Sequence, residues 1–253
     1  MSRENFSMIM ATDEPIVVAA TSAVQGGDVS ALKRLLADHP ELVSAVFASE
    51  KDRARGVGRT LLHVATDWPG NFPNGPETVA ALIEAGADVN ARFTGPHTET
   101  PLHWAASSDD VAVLDALLDA GADIEARGAV IGGGTPMADA TAFGQWNAAR
   151  RLLERGAATT MWEASALGLL DRVDAYFVAD PQSSADDATA CLWGACHGGH
   201  RDVAAFLLEH GADPNWIGWD ELTALDAAER AEAADVVDWL RSLGAKSAAE
   251  LRP

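Results

Sequence analysis

The hydrophobic residues of this chain fall at helical spacing in short segments that recur along the sequence. In VAAFLLEHG (203–211), apolar side chains return every three or four residues, which predicts a helix with one buried face. A glycine ends the segment, as is typical of a left-handed helix cap. Each such segment is too small to bury its own apolar face, so the pattern predicts short helices that stack on similar neighbours.

Two phrases repeat along the chain. The first is close to LLxxGA, and its glycines are Gly86, Gly121, Gly156, Gly211 and Gly244. The longest interval between them contains one further helical segment, 164–181, which ends in Asp180-Pro181 instead of Gly-Ala. The second phrase precedes the first and reads, for example, TLLHVAT at 60–66, TPLHWAA at 100–106 and TALDAAE at 223–229. With a degenerate copy at 21–40, the two phrases predict about seven repeats.

These motifs resemble those of the ankyrin repeat family, most closely in TPLHWAA and in GHRDVAAFLLEHGADPN (199–215). The resemblance covers about residues 15–246 and implies an all-α solenoid of helix-turn-helix units with short β-hairpin loops. Thr before Pro suits a helix start, because its hydroxyl can cap free N–H groups. At His63, His103 and His200 the resemblance implies a structural role, in which the histidine bonds the backbone between neighbouring repeats.

We expect an N-terminal extension at 1–14, one repeat array at 15–246 and a tail at 247–253. The approximate repeat boundaries are 15–57, 58–97, 98–132, 133–158, 159–188, 189–220 and 221–246. The fourth and fifth repeats lie too close together for a hairpin between them. Insertions at 67–77, rich in Gly, Pro and Asn, and at 179–188 predict loops.

Composition narrows the class of partner. The formal net charge of −20 disfavours nucleic acid and anionic membranes and favours neutral or cationic partners. No apolar run is long enough for a transmembrane helix, and the first residues do not resemble a signal peptide. Two cysteines are too few for a disulfide framework, which fits a reducing cytoplasm. We therefore expect a cytoplasmic protein, and the degenerate end repeats favour a monomer.

The tryptophans suggest a binding surface. The chain has eight Trp and one Tyr, and five of these tryptophans are placed by the repeat pattern on first helices or loops: Trp68, Trp104, Trp162, Trp193 and Trp219. His97, in the predicted hairpin GPHTET, could reach the same groove. Our first hypothesis is a module that binds a protein or peptide partner through its concave face, with exposed tryptophans as energetic hot spots. The alternative role for Trp104 is packing between repeats.

A second hypothesis is a small-molecule site or enzyme. Asp139 and Glu163 follow the motif-histidine position in adjacent repeats, so their carboxylates could lie close enough to act as acid and base between tryptophan walls. His197 could assist, and a neutral or cationic small molecule would be the ligand. Alternatively, both acids are solvated or paired with Arg150 or Arg151.

A metal site receives little support from the sequence. Cys191, Cys196, His197 and His200 have a spacing that could suggest zinc, but side chains on one short helix would not all face one point. We therefore expect neither a metal nor a cofactor.

Overall fold

The computed structural model describes residues 8–179 and 184–252. The chain divides into two compact units, Met1–Ala157 and Ala158–Pro253, which we call the N-terminal and C-terminal units. Parts of three predicted segments lie outside the described residues: 1–7 of the extension, Asp180-Pro181 with the neighbouring 182–183 in the 179–188 insertion, and Pro253 of the tail.

The N-terminal unit is a two-layered stack of short helices. They are α1 (Pro15–Gly26), α2 (Val29–Asp38), α3 (Glu50–Ala54), α4 (Leu61–Ala65), α5 (Gly75–Glu84), α6 (Pro101–Ser107), α7 (Val111–Asp119), α8 (Pro136–Ala142) and α9 (Trp146–Glu154). Helices α1, α4, α6 and α8 pack side by side in one layer, and α2, α5, α7 and α9 form the other. Fully buried leucines fill the space between the layers, among them Leu62, Leu102 and Leu114. The predicted helical repeat fold is therefore present.

In two repeats the Thr-x-x-His motif links the start of the first helix, α4 or α6, to the next repeat. Thr100 caps α6, and its N–H donates to His103 Nδ1 at 3.1 Å. Because Nδ1 accepts this bond, the ring hydrogen of neutral His103 lies on Nε2, which donates to the Gly134 carbonyl at 3.4 Å. His63 reaches the Glu99 carbonyl in the same way at 3.2 Å. The role expected for His63 and His103 is confirmed.

The first repeat contains an insertion that the sequence pattern did not predict. After α2 the chain forms a 3-10 helix (Pro40–Val43), strand β2 (Val46–Ala48) and then α3. Strand β2 pairs in parallel with β1 (Ile9–Ala11), which lies in the predicted extension. Strands of three residues are too short to show an alternating pattern. The expected hairpin loops are also reduced here to isolated bridges, such as the one between Gly58 and Thr94.

The C-terminal unit continues with the same kind of helix pair. Its helices are α10 (Met161–Ala166), α11 (Leu170–Ala179), α12 (Ala185–His197), α13 (Arg201–Glu209), α14 (Ala224–Arg230), α15 (Ala234–Ser242) and α16 (Ala248–Leu251), and a 3-10 turn spans Trp219–Glu221. Helices α10, α12 and α14 pack in sequence. Since α9 ends at Glu154 and α10 begins at Met161, the connection is as short as the sequence spacing predicted.

Other side chains take over the histidine's role in this unit. Trp193 stands at the motif-histidine position and donates its indole N–H to the Leu222 carbonyl at 3.1 Å. Asp226 stands there in the last repeat, and its carboxylate accepts the N–H groups of Thr223 and Ala248. These two repeats thus keep a polar link to the following segment without a histidine.

We expect acid to destabilise the N-terminal unit through His63 and His103. Burial lowers the pKa of each imidazole to about 4, so both stay neutral in the fold, whereas unfolded histidine protonates near pH 6.5. Their stabilising contribution is therefore complete above pH ~6.5 and is lost as the pH falls towards 4. The loss is up to about 1.4 kcal/mol per pH unit for each histidine.

Urea unfolding measured between pH ~6.5 and ~5 tests this expectation. His103→Gln should remove about half of the pH slope that the two histidines generate. His39→Gln is the control, because His39 is partly exposed, unlike the fully buried His63 and His103, and its replacement should leave the slope unchanged. An unaltered slope in His103→Gln would contradict the assignment.

Candidate functional site

The backbone at Glu99, directly before α6, is held from two sides. Its carbonyl oxygen accepts the N–H of Phe93 at 2.8 Å and the ring N–H of His63 at 3.2 Å. The Glu99 side chain is buried. A carboxylate is therefore fixed beneath the loop that carries His97.

Two of the predicted side chains, Trp104 and His97, meet at this carboxylate. The Trp104 indole N–H donates to Glu99 Oε2 at 3.0 Å, and His97 Nδ1 lies 2.6 Å from the same oxygen, a contact that becomes an ion pair when the imidazole is protonated. Phe93 stacks on His97 with ring centroids 5.0 Å apart and lies 5.5 Å from Trp104. The structure thus brings His97 and Trp104 together at one carboxylate. We call Glu99, Asp139, His97 and Trp104 the Glu99 network.

Asp139 is the fully buried member of this network. Its side chain is 0% exposed, and neither carboxyl oxygen has a hydrogen-bond partner within the described part of the chain. Burial raises the pKa of Asp139 to about 8, and the negative charge of Glu99 raises it further in the same direction. Asp139 is therefore a neutral carboxylic acid at pH 7.

The carboxylate that raises the pKa of Asp139 is that of Glu99 and not that of Glu163, which instead caps a helix. The Glu163 carboxylate accepts the Thr160 N–H at 2.6 Å and so caps the first turn of α10, with Thr160 capping in return. The sequence pattern does not predict a role for Glu99, because this residue lies outside the recurring motif positions. The available signal was its place immediately before Thr-Pro-Leu-His, within reach of Trp104.

A cavity of about 310 Å³ opens beside Trp104, and we call it the Trp104 pocket. Its lining includes Thr12, Phe47, Asp52, Arg59, Phe93 and Trp104. Arg59 is ion-paired with Asp67, and Asp67 also accepts the backbone N–H of Trp68. The predicted loop after α4 therefore carries Trp68 close to this ion pair, with 79% of its surface exposed.

The remaining tryptophans of the prediction form a second cluster, in the C-terminal unit. Trp219 makes edge-to-face contacts with Trp162, Trp193 and Trp216 at centroid distances of 5.7, 5.2 and 5.4 Å. Trp162 packs against Gly194, where an added Cβ would lie 3.0 Å from the indole. Trp193 is only 3% exposed, so in this structure it is a packing residue and not an exposed hot spot as the first hypothesis expected.

His197 and the cysteines belong to this helical core. The His197 ring lies 5.3 Å from Trp193, while Cys191 and Cys196 are buried thiols whose pKa values burial raises to about 11 and about 12. Among residues 8–179 and 184–252, no group of three or more His, Cys, Asp or Glu side chains could hold a metal ion. The same ranges contain no helix with the length and apolar character to cross a bilayer.

We expect the stability of the N-terminal unit to fall as the pH rises from about 7 to about 8. In this range folded Asp139 keeps a proton that unfolded aspartic acid, with a pKa near 3.9, has released. Its contribution is complete below pH ~4 and is lost as the pH rises to 8, by up to about 1.4 kcal/mol per pH unit. Above pH ~7.5 unfolded His63 and His103 are almost fully deprotonated, so the slope there comes mainly from Asp139.

Asp139→Asn, which is neutral at every pH, should flatten this slope in urea unfolding. Asp38→Asn is the matched control, because Asp38 is exposed in the same unit and its replacement should preserve the slope. Equal slopes in the wild type and in Asp139→Asn would show that Asp139 is not the protonated group.

Comparison with known proteins agrees with this architecture. Residues 74–161 match the model for "Ankyrin repeats (3 copies)", and residues 189–218 match the model for "Ankyrin repeat". An ankyrin repeat and KH domain-containing protein of Caenorhabditis briggsae is 33% identical over 179 residues, which cover 67% of this chain. The chain spans only 7% of the length of that relative. With the histidine links between its stacked helix pairs, the chain belongs to the ankyrin repeat proteins.

Proposed function

We propose that the chain is a binding module that recognises a protein or peptide segment through the first-helix side of its N-terminal unit, which we expect to be concave. Ankyrin repeats generally mediate protein–protein interaction. Solenoid repeats place successive first helices and loops along one continuous surface, which suits an extended ligand.

The observation that carries this proposal is the exposed Trp68 beside the Trp104 pocket. An indole that is 79% exposed loses much unfavourable contact with water when a partner covers it. The pocket has aromatic walls in Phe93 and Trp104 and a polar end in Asp52 and Arg59. It therefore suits one apolar side chain with a polar tip, inserted as an anchor.

The Glu99 network supports this pocket from below. Its hydrogen bond to the Trp104 indole fixes the ring orientation before any partner arrives, and a rigid wall loses less conformational entropy on binding. Asp139 in its neutral form keeps two carboxylates from repelling each other beneath Trp104. In this proposal the acids hold the pocket in shape and make no contact with the partner.

An enzyme that uses Asp139 and Glu163 is not proposed. A fully buried carboxyl group cannot reach a substrate, and Glu163 is engaged as a helix cap. We do propose about seven repeats, because seven helix pairs have first helices that begin at or near the recurring motif.

We expect Trp68→Ala to weaken partner binding by about tenfold or more, because it removes the most exposed anchor of the surface. The partner is unidentified, so the probe is a peptide selected on the wild-type chain from a random phage-displayed library. Its Kd is then measured by calorimetry. Trp104→Phe should weaken the same peptide less, since it keeps an aromatic wall but loses the bond to Glu99.

Trp219→Ala serves as the matched control, because it removes an exposed tryptophan from the other unit. Thermal unfolding must show that each variant is folded. If every selected peptide binds Trp68→Ala and Trp104→Phe as tightly as the wild type, the proposed surface is wrong.

A further inference from the structure

A second exposed aromatic surface lies in the C-terminal unit, in the loop between α13 and α14. This loop, residues 213–222, exposes Trp216, Ile217 and Trp219, of which the two indoles are 37% and 46% accessible. We call it the Trp219 finger. We propose that it binds a peptide segment in which an arginine or lysine stands next to an apolar residue. This site is separate from the Trp104 pocket and does not depend on it.

The finger is held in place before any partner binds. Trp219 rests edge-on against Trp193, which is itself buried and bonded to the Leu222 carbonyl within the same loop. Arg230 pairs with Asp220 at 2.6 Å, and Arg252 pairs with Glu221 at 2.7 Å. An aromatic side chain on such a supported loop loses little entropy on binding, as is typical of interface hot spots.

The backbone supports the same interpretation. Asp220 and Glu221 both have positive φ, 55° and 59°, a conformation that non-glycine residues adopt at some energetic cost. The surrounding contacts of Trp219 and the two arginines maintain this turn. The turn places two exposed carboxylates, Asp220 and Glu221, directly after the partly exposed Trp219.

Charge selects the partner. Residues 158–253 contain 17 acidic and six basic residues, so the unit that carries the finger is strongly anionic. The carboxylates of Asp220 and Glu221, which follow Trp219, are exposed, and their ion pairs with Arg230 and Arg252 are weak enough to exchange with an incoming cation. The free indole surface provides the apolar contact.

The molecule already contains one example of the recognition we propose. The guanidinium of Arg230 lies over the ring of buried Trp193, 5.6 Å from its centroid. Guanidinium and ammonium groups are attracted to the negative face of an indole. Trp216 and Trp219 offer further indole surface of this kind to solvent, where a partner's arginine or lysine can use it.

The test uses the full chain and a random peptide library displayed on phage. Peptides retained by the wild type are sorted by their loss of binding to Trp219→Ala. The sorted pool should be rich in Arg or Lys beside an aliphatic or aromatic residue. A synthetic peptide from this pool should bind Trp219→Ala about tenfold or more weakly than the wild type.

Two further measurements separate charge from apolar contact. Replacing the peptide's arginine by citrulline, which keeps the shape and removes the charge, should weaken binding to the wild type. Raising the salt concentration should weaken binding of the arginine peptide more than that of the citrulline peptide. Trp68→Ala is the matched control and should bind this peptide as the wild type does.

Three results would overturn the proposal. One is that no selected peptide depends on Trp219, provided that the thermal unfolding of Trp219→Ala matches the wild type. Another is a Trp219-dependent pool that is neutral or acidic. The third is equal loss of binding in Trp68→Ala, which would assign the peptide to the N-terminal unit instead.

Discussion

Repeat register depends on one kind of polar contact, the bond from a side chain in the first turn of a repeat to the backbone of the following segment, as made by His63, His103, Trp193 and Asp226. Short helices have little intrinsic stability in water and are held by packing against neighbours. Packing alone does not fix register, because apolar surfaces can slide. The bonds from His63 to the Glu99 carbonyl and from His103 to the Gly134 carbonyl are directional, and burial makes them costly to leave unsatisfied. They therefore set where each following loop begins.

This contact also explains how the site is positioned. The carbonyl of Glu99 that accepts the His63 bond belongs to the residue whose carboxylate orients Trp104. The structural link between repeats and the wall of the Trp104 pocket thus share one residue. In the C-terminal unit, the Trp193 indole bonds to Leu222 while its ring supports Trp219. In both units a residue that connects repeats also holds an aromatic side chain of the proposed binding surface.

The sequence predicts the structural features that recur from repeat to repeat. It does not predict the features that occur in one repeat only. Recurring glycines and the Thr-Pro-Leu-His phrase predicted the stacked helices through local periodicity and capping, and the resemblance to ankyrin repeats implied the structural histidines. The parallel pairing of β1 with β2 could not be predicted, since two three-residue strands far apart in the chain carry no local pattern. Glu99 was missed for a related reason, because its importance comes from a contact with Trp104 and Asp139 and not from a motif position.

The same limit applies to two residues that occupy equivalent positions in adjacent repeats. Asp139 and Glu163 both follow the motif-histidine position, and equal placement suggested a common role. Their surroundings differ, however: Asp139 is sealed under a loop near Glu99, whereas Glu163 reaches back to the N–H of Thr160. One carboxyl group is consequently neutral and the other is a helix cap. The position of a residue along a helix predicts the direction of its side chain. Its protonation state and its hydrogen-bond partners depend on the residues that surround it in the fold.

Net charge and aromatic placement contribute different information about recognition. A net charge of −20 acts over the whole surface and is screened within about 10 Å at moderate salt, so it favours cationic partners without selecting a site. Selection requires apolar surface that is exposed and held rigidly. Trp68 and Trp219 meet this requirement by different means, one on a loop anchored through Asp67 and Arg59, the other on a finger supported by Trp193. In the finger two exposed carboxylates, Asp220 and Glu221, directly follow the indole-bearing residue, so a basic residue in the ligand should matter most there.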